Sequence, residues 1–131
     1  MISRPGEGER LGREDRTILV KVVQPELDVL EFDVGPDYEG PGPHYHERHT
    51  DSWYVLEGEL ELTIAGETVR LGAGGFVSVP PGVVHSFTNG GSGRARFLNI
   101  HSPDRGFTDY LRARTRGEDV DPADFDIHNV D

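Results

Sequence analysis

Apolar and polar residues alternate in short runs along most of this chain, and glycine or proline closes nearly every run. The clearest run is residues 59–65 (ELELTIA). Leu60, Leu62 and Ile64 share one parity, and Glu59, Glu61 and Thr63 the other. A period of two marks a strand with one buried face. Residues 17–23 (TILVKVV), 27–34 (LDVLEFDV), 52–57 (SWYVLE), 68–71, 76–79, 83–88 and 94–101 (RARFLNIH) read as strands too, and residues 44–50 can extend. Turn signals fall between them: Gln24-Pro25, Gly35-Pro36, Gly58, Ala65-Gly66, Gly72 to Gly75, Pro80-Pro81-Gly82 and the glycine-rich stretch 89–93.

About nine short strands at close spacing predict an all-β sandwich or barrel. Strands and helices do not alternate, which argues against a doubly wound parallel sheet. The pattern changes after Pro103. Residues 107–116 (FTDYLRARTR) predict the one helix, with Phe107, Tyr110 and Leu111 as an apolar stripe that docks on the barrel. Thr108 or Asp104 is expected to cap its start. The organisation expected is a single domain over residues 1–131, with the barrel at about 17–102 and a helix and acidic tail at 103–131.

Composition narrows the function. The chain has 131 residues, with 13 Lys+Arg against 24 Asp+Glu and a formal charge of −11. That balance argues against nucleic acid, whose phosphates need a basic patch. No stretch approaches the roughly 20 apolar residues that cross a bilayer, and residues 1–16 lack a secretory pattern. A cytoplasmic location is therefore expected. Cysteine is absent, which excludes disulfides, thiolate catalysis and zinc–thiolate sites. Residues 117–131 hold six carboxylates and no Lys or Arg, and read as a solvated tail with His128 inert.

The chemistry concentrates at residues 44–51. His44 and His46 stand two apart, so on a strand their rings point to one face. Neutral imidazole binds Zn, Fe, Cu, Ni and Mn. Asp51 adds a carboxylate in reach of that face. His85 enters the next strand from a turn fixed by Pro80-Pro81-Gly82. Three imidazoles and a carboxylate then converge, and burying them without a cation is costly.

At this point two stretches resemble the motifs of the cupin family. Residues 42–58 (GPHYHERHTDSWYVLEG) are similar to its first motif and residues 74–89 (GGFVSVPPGVVHSFTN) to its second, with Gly74, Pro80, Gly82, His85 and Asn89 in place. The resemblance implies a jelly-roll barrel, or double-stranded β-helix, around one divalent transition metal (Fe, Mn, Zn, Ni or Cu). It implies His44, His46, His85 and Asp51 as ligands, Gly58 and Gly82 as turn residues, and Asn89 as structural. The family usually has Glu where this chain has Asp51. His49 shares the parity of Asp51 and is the substitute for it. By parity Trp53 and Phe87 are pocket candidates. His101 is either a pocket base or a hydrogen-bonded strand-end histidine.

Three nitrogen donors and one oxygen donor leave an octahedral metal open to a small-molecule ligand. The resemblance implies an oxidoreductase, a dioxygenase of the quercetin-cleaving type. The alternatives are a metal-containing binding module without turnover and a metal-assisted isomerase. Residues 17–23 are expected to cover a partner's sheet edge in a homodimer.

Overall fold

The computed structural model describes residues 1–13 and 15–130. Asp131, the end of the acidic tail, lies outside them. Two antiparallel sheets carry eleven strands among the described residues. In chain order they are β1 (Glu9–Arg13), β2 (Arg16–Gln24), β3 (Leu27–Val34), β4 (His44–Tyr45), β5 (Thr50–Glu57), β6 (Glu59–Ile64), β7 (Glu67–Gly72), β8 (Phe76–Val79), β9 (His85–Asn89), β10 (Ala95–Ser102) and β11 (His128–Asn129). Helix α1 (Phe107–Thr115) and a single 3-10 turn (Pro122–Phe125) lie between β10 and β11. The first sheet runs β1-β2-β3-β10-β5-β8 and the second β11-β4-β9-β6-β7.

Register follows from alternation. In β6, Leu60 and Leu62 are fully buried while Glu59 faces solvent. Burying each leucine contributes about 1.5–3 kcal/mol, and a one-residue slip would turn the glutamates inward instead. The two sheets meet through Phe87 on β9, which packs edge-on against Phe97 of β10 and Trp53 of β5.

The inward residues grade along each strand. On β10 they run Ala95, Phe97, Asn99, His101, and on β5 they run Val55, Trp53, Asp51. One end of the interior is therefore apolar and the other polar. Antiparallel pairing places Asp51 opposite His101 and His44 opposite His85. Four polar side chains from four strands thus share one end of the barrel.

Several expectations need correction. Residues 17–23 are not a free edge: β2 is paired with β1 on one side and β3 on the other. Strand β1 carries one buried residue, Leu11, so it shows no alternation. The N-cap residue of the helix is Gly106, in the left-handed region at φ 96, with no side-chain cap. Thr108 instead donates its hydroxyl to Asp28 Oδ2 at 2.9 Å, and Asp104 accepts from the Gly106 amide. The acidic tail is not uniformly solvated, since Asp126 and Ile127 are buried.

Candidate metal centre

Local structure brings the motif residues together. The Gly82 amide, at φ 84 where only glycine is unstrained, donates to the His46 carbonyl at 2.7 Å. This bond ties the Pro80-Pro81-Gly82 turn to the histidine loop and fixes the entry of His85. Asn89, at the far end of β9, binds the Gly35 and Gly93 carbonyls and the Gly91 amide, holding the loops around it. Gly58, at φ 75, lies so close to the Arg94 carbonyl oxygen that an added Cβ would stand 2.5 Å from it.

One ligand-capable atom from each of His44, His46, Asp51 and His85 lies within 4.8 Å of the other three. All four residues are buried. Asp51 Oδ2 sits 3.2 Å from His46 Nε2 and 3.1 Å from His85 Nε2. Each ring uses its other nitrogen elsewhere. His44 Nδ1–H donates to the Gly42 carbonyl at 2.8 Å, His46 Nδ1–H to the Asp126 carbonyl at 2.8 Å, and His85 Nδ1–H to the Val83 carbonyl at 2.9 Å. Those bonds fix the tautomer and leave each Nε2 lone pair to offer, the usual arrangement of metal-binding histidines.

His49 belongs to a neighbouring string. Its Nδ1–H donates to Asp126 Oδ2 at 2.8 Å, and its Nε2 meets His101 Nδ1 at 2.7 Å. His101 Nε2–H donates to Asn99 Oδ1 at 2.9 Å. Asn99 Nδ2 in turn donates to Asp51 Oδ1 at 2.7 Å and to the Ser52 carbonyl at 3.0 Å. With both rings neutral the string's three contacts hold two protons, so one contact lacks a hydrogen. His101 is also stacked on Phe107 of α1, ring centroids 3.8 Å apart.

Burial sets the charges. It lowers His44 to about 4, with the neighbouring His85 adding to the effect. It lowers His101 to about 3 and also lowers His49. For Asp51 burial opposes ionisation, but His101, His46 and His85 outweigh it and hold the carboxyl well below its ordinary value. Burial likewise opposes charge on His46, and Asp51 and Asp126 overcome it, raising the ring's pKa. The cluster thus sets an ionised Asp51 against His44, which burial keeps neutral, and His46, whose pKa is raised. That donor set fits a divalent first-row ion, whose charge satisfies all four groups at once.

Beside the cluster lies a cavity of about 260 Å³, with His44, Asp51, Asn99 and Phe87 on its wall. Trp53 is not on that wall. It packs edge-on against His85 and Phe87 behind it, 1% exposed. His128 stacks on Tyr45 and bonds Asp126 Oδ1 at 3.0 Å. Glu47 and Glu57 are solvent-exposed.

Asn99 and Asp126 escaped the sequence reading. Asn99 shares the parity of Phe97 and His101, so an amide on the inner face was legible. Asp126 follows Asp121-Pro122, a helix-start signal inside the acidic tail, and precedes the apolar Ile127.

Comparisons place these features among known proteins. The chain is 34% identical over 85 residues to quercetin 2,3-dioxygenase of Bacillus subtilis (strain 168), which covers 63% of this chain and 25% of that protein. It is 43% identical over 49 residues to the HTH-type transcriptional regulator PuuR of Escherichia coli (strain K12), covering 37% of this chain and 26% of that one. The chain therefore spans about a quarter of the length of these curated relatives. Among solved structures, KdgF from Halomonas sp. superposes with a TM-score of 0.72 at 23% identity, over 80% of this chain and 94% of that one. An RmlC-like cupin from Shewanella frigidimarina gives 0.68 at 24%, over 79% and 91%. At such identities the likeness is one of fold. A family model for the cupin domain matches residues 30–101, the stretch that holds both histidine motifs and the strands around the buried cluster, and the chain belongs to the cupin family.

Proposed function

We propose that this chain is a metal-dependent enzyme acting on a small organic molecule, of oxidoreductase type, with His44, His46, His85 and Asp51 as the metal ligands. One observation carries the reading: each imidazole uses its Nδ1–H on a backbone carbonyl while the Nε2 side converges on a buried carboxylate, next to a cavity. Iron, manganese, nickel or copper there would supply activation of dioxygen beside a bound substrate. The similarity to a quercetin dioxygenase over 85 residues supports that choice of chemistry.

The chain's own groups have separate tasks. Asn99 orients Asp51 by donating to Oδ1, which leaves Oδ2 turned toward His46 and His85. Asp126 orients His46 through its carbonyl. Phe87 forms part of an apolar wall that excludes water from the reacting face. Asp51 takes the ligand position in preference to His49, whose Nδ1–H is given to Asp126 and whose Nε2 faces His101 rather than the four clustered donors. A homodimer is part of this reading.

Metal analysis of the natively expressed protein, then oxygen uptake over flavonols, diketones and thiols, tests it. About one transition ion per chain and uptake with at least one substrate class are expected. Tight ligand binding with no uptake under any metal would leave a binding module instead. Light scattering at the monomer mass would remove the dimer.

A further inference from the structure

The cavity's charge runs against that of the molecule. Arg13, Arg16 and Arg114 line it, whereas Asp51 is the one carboxylate among the described residues on its wall. That carboxylate is already faced by His46, His85 and Asn99. A chain of net charge −11 thus concentrates three of its 13 cationic residues around a single hollow.

These cations are not used up by the fold. Arg112, two residues before Arg114 on α1, pairs with Glu9 and Asp109. Arg114 and Arg16 form no ion pair with any carboxylate among the described residues, and Arg13 has Asp15 at 3.4 Å. Arg16 is half-buried, and its Nε lies inside the protein without a hydrogen-bond partner there. Burial lowers its pKa from the ordinary value, with Arg13 adding to the effect and Tyr38 and Asp15 opposing it. A buried donor without a partner carries a desolvation cost that a bound anion would remove.

Phe32, Phe87, Phe107 and Leu111 supply an apolar part of the wall. At about 260 Å³ the space lies below the roughly 300–1,000 Å³ that drug-sized ligands occupy. We propose that the cavity takes a small organic acid, its carboxylate held by Arg16 and Arg114 and its apolar body against Phe87 and Phe107. The planar guanidinium fork suits a carboxylate, and the positive wall would draw such anions into an otherwise acidic protein. This substrate class deepens the metal-enzyme reading and rests on the same cavity.

Calorimetry with phenylacetate and its neutral isostere phenylacetamide tests it, on both chelator-treated and zinc-loaded protein. The acid is expected to bind at least about tenfold more tightly than the amide in both forms. Arg16→Gln and Arg114→Gln are each expected to reduce acid binding about tenfold, leaving amide binding and zinc stoichiometry unchanged. Arg114 is exposed on α1, so its variant keeps the test open should Arg16→Gln fail to fold. Equal binding of acid and amide would overturn the proposal. So would acid selectivity that survives the double variant or appears only with zinc, since the metal would then hold the carboxylate. Loss of zinc binding with arginine-dependent selectivity intact would sink the metal reading alone.

Discussion

Asp126 reaches across 77 residues of chain to His49, accepting its Nδ1–H on Oδ2 at 2.8 Å. The same carboxylate accepts the Glu47 and Arg48 amides, and its carbonyl accepts from His46. A residue in the acidic tail thus holds the whole histidine loop. The loop has no regular pairing of its own between β4 and β5, so these bonds give its amides the partners that a ladder would otherwise supply.

Asp126→Ala should therefore cost on the order of 3 kcal/mol, because several donors lose one acceptor at once. Burial opposes the charge of Asp126, but the Glu47 and Arg48 amides and His49 outweigh it and lower its pKa from 3.8 to about 2. An acid depressed in the folded state stabilises above its unfolded value and loses that contribution as pH falls through the folded one. Wild-type stability should thus decline between about pH 4 and pH 2 more steeply than that of Asp126→Asn. Urea melts at pH 5, 4 and 3 on both proteins check the slope. Parallel curves would show that the carboxylate carries no such linkage.

Asp28 shows the opposite sign. It is fully buried on β3, its Oδ2 bonded to Thr108 and its Oδ1 without a partner. Burial, with Asp104 adding repulsion against the opposing Thr108 hydrogen bonds, raises its pKa from 3.8 to about 6. The folded state then holds a proton that the unfolded chain releases, so stability falls as pH rises from about 4 to 6. Asp28→Asn keeps an acceptor for the Thr108 hydroxyl and removes the charge. It should gain on the order of 2 kcal/mol at pH 7.5 and almost nothing at pH 4. Thermal melts at the two pH values decide, and an equal shift at both would refute the titration.

Much of this was legible because a strand's parity is a local property. The pair His44 and His46 could be read from spacing, Asp51 and His85 from the motif resemblance and the turn before His85, and β6 from Leu60, Leu62 and Ile64. What eluded the reading depends on partners far along the chain. Strand β1 is an edge strand with a single buried side chain, Leu11, so no alternation marks it. Asp126 resembles its solvated neighbours in composition, and only the return of β11 to β4 buries it. Trp53 has the parity of Asp51, yet it packs against His85 and Phe87, and of these only Phe87 reaches the cavity wall, a matter of packing depth rather than period.

His85→Ala should abolish metal binding, taking the ion content from about one per chain to below about a tenth. Zinc at a thousand times its Kd should stabilise the wild type by about 4 kcal/mol and the variant hardly at all. Protons compete with the ion for imidazole lone pairs. Burial keeps His44 neutral down to about 4, whereas the carboxylates beside His46 raise its pKa against the pull of burial, so His46 meets that competition first. The stabilisation by zinc should therefore weaken as pH falls through the raised pKa of His46, starting above the ordinary histidine value, as melting temperatures with and without zinc from pH 8 to 5 would show. A zinc effect undiminished in His85→Ala would move the ion elsewhere.

Asn99 separates orientation from ligation. It touches Asp51 Oδ1 at 2.7 Å and His101 Nε2 at 2.9 Å, but it is not one of the four clustered donors. Asn99→Ala leaves all four in place and removes the bond that aims Asp51. Losses of such supporting bonds typically weaken metal affinity by about 10–100-fold without eliminating it. Asn99→Asp should do more damage in the metal-free protein, since it sets a second carboxylate against Asp51 in a buried space. Competitive zinc titration with a chromophoric chelator gives the affinities, and melting of the chelated proteins gives the stabilities. Wild-type zinc affinity in Asn99→Ala would mean that the strand register alone, through the pairing of Asp51 with His101, holds the carboxylate in place.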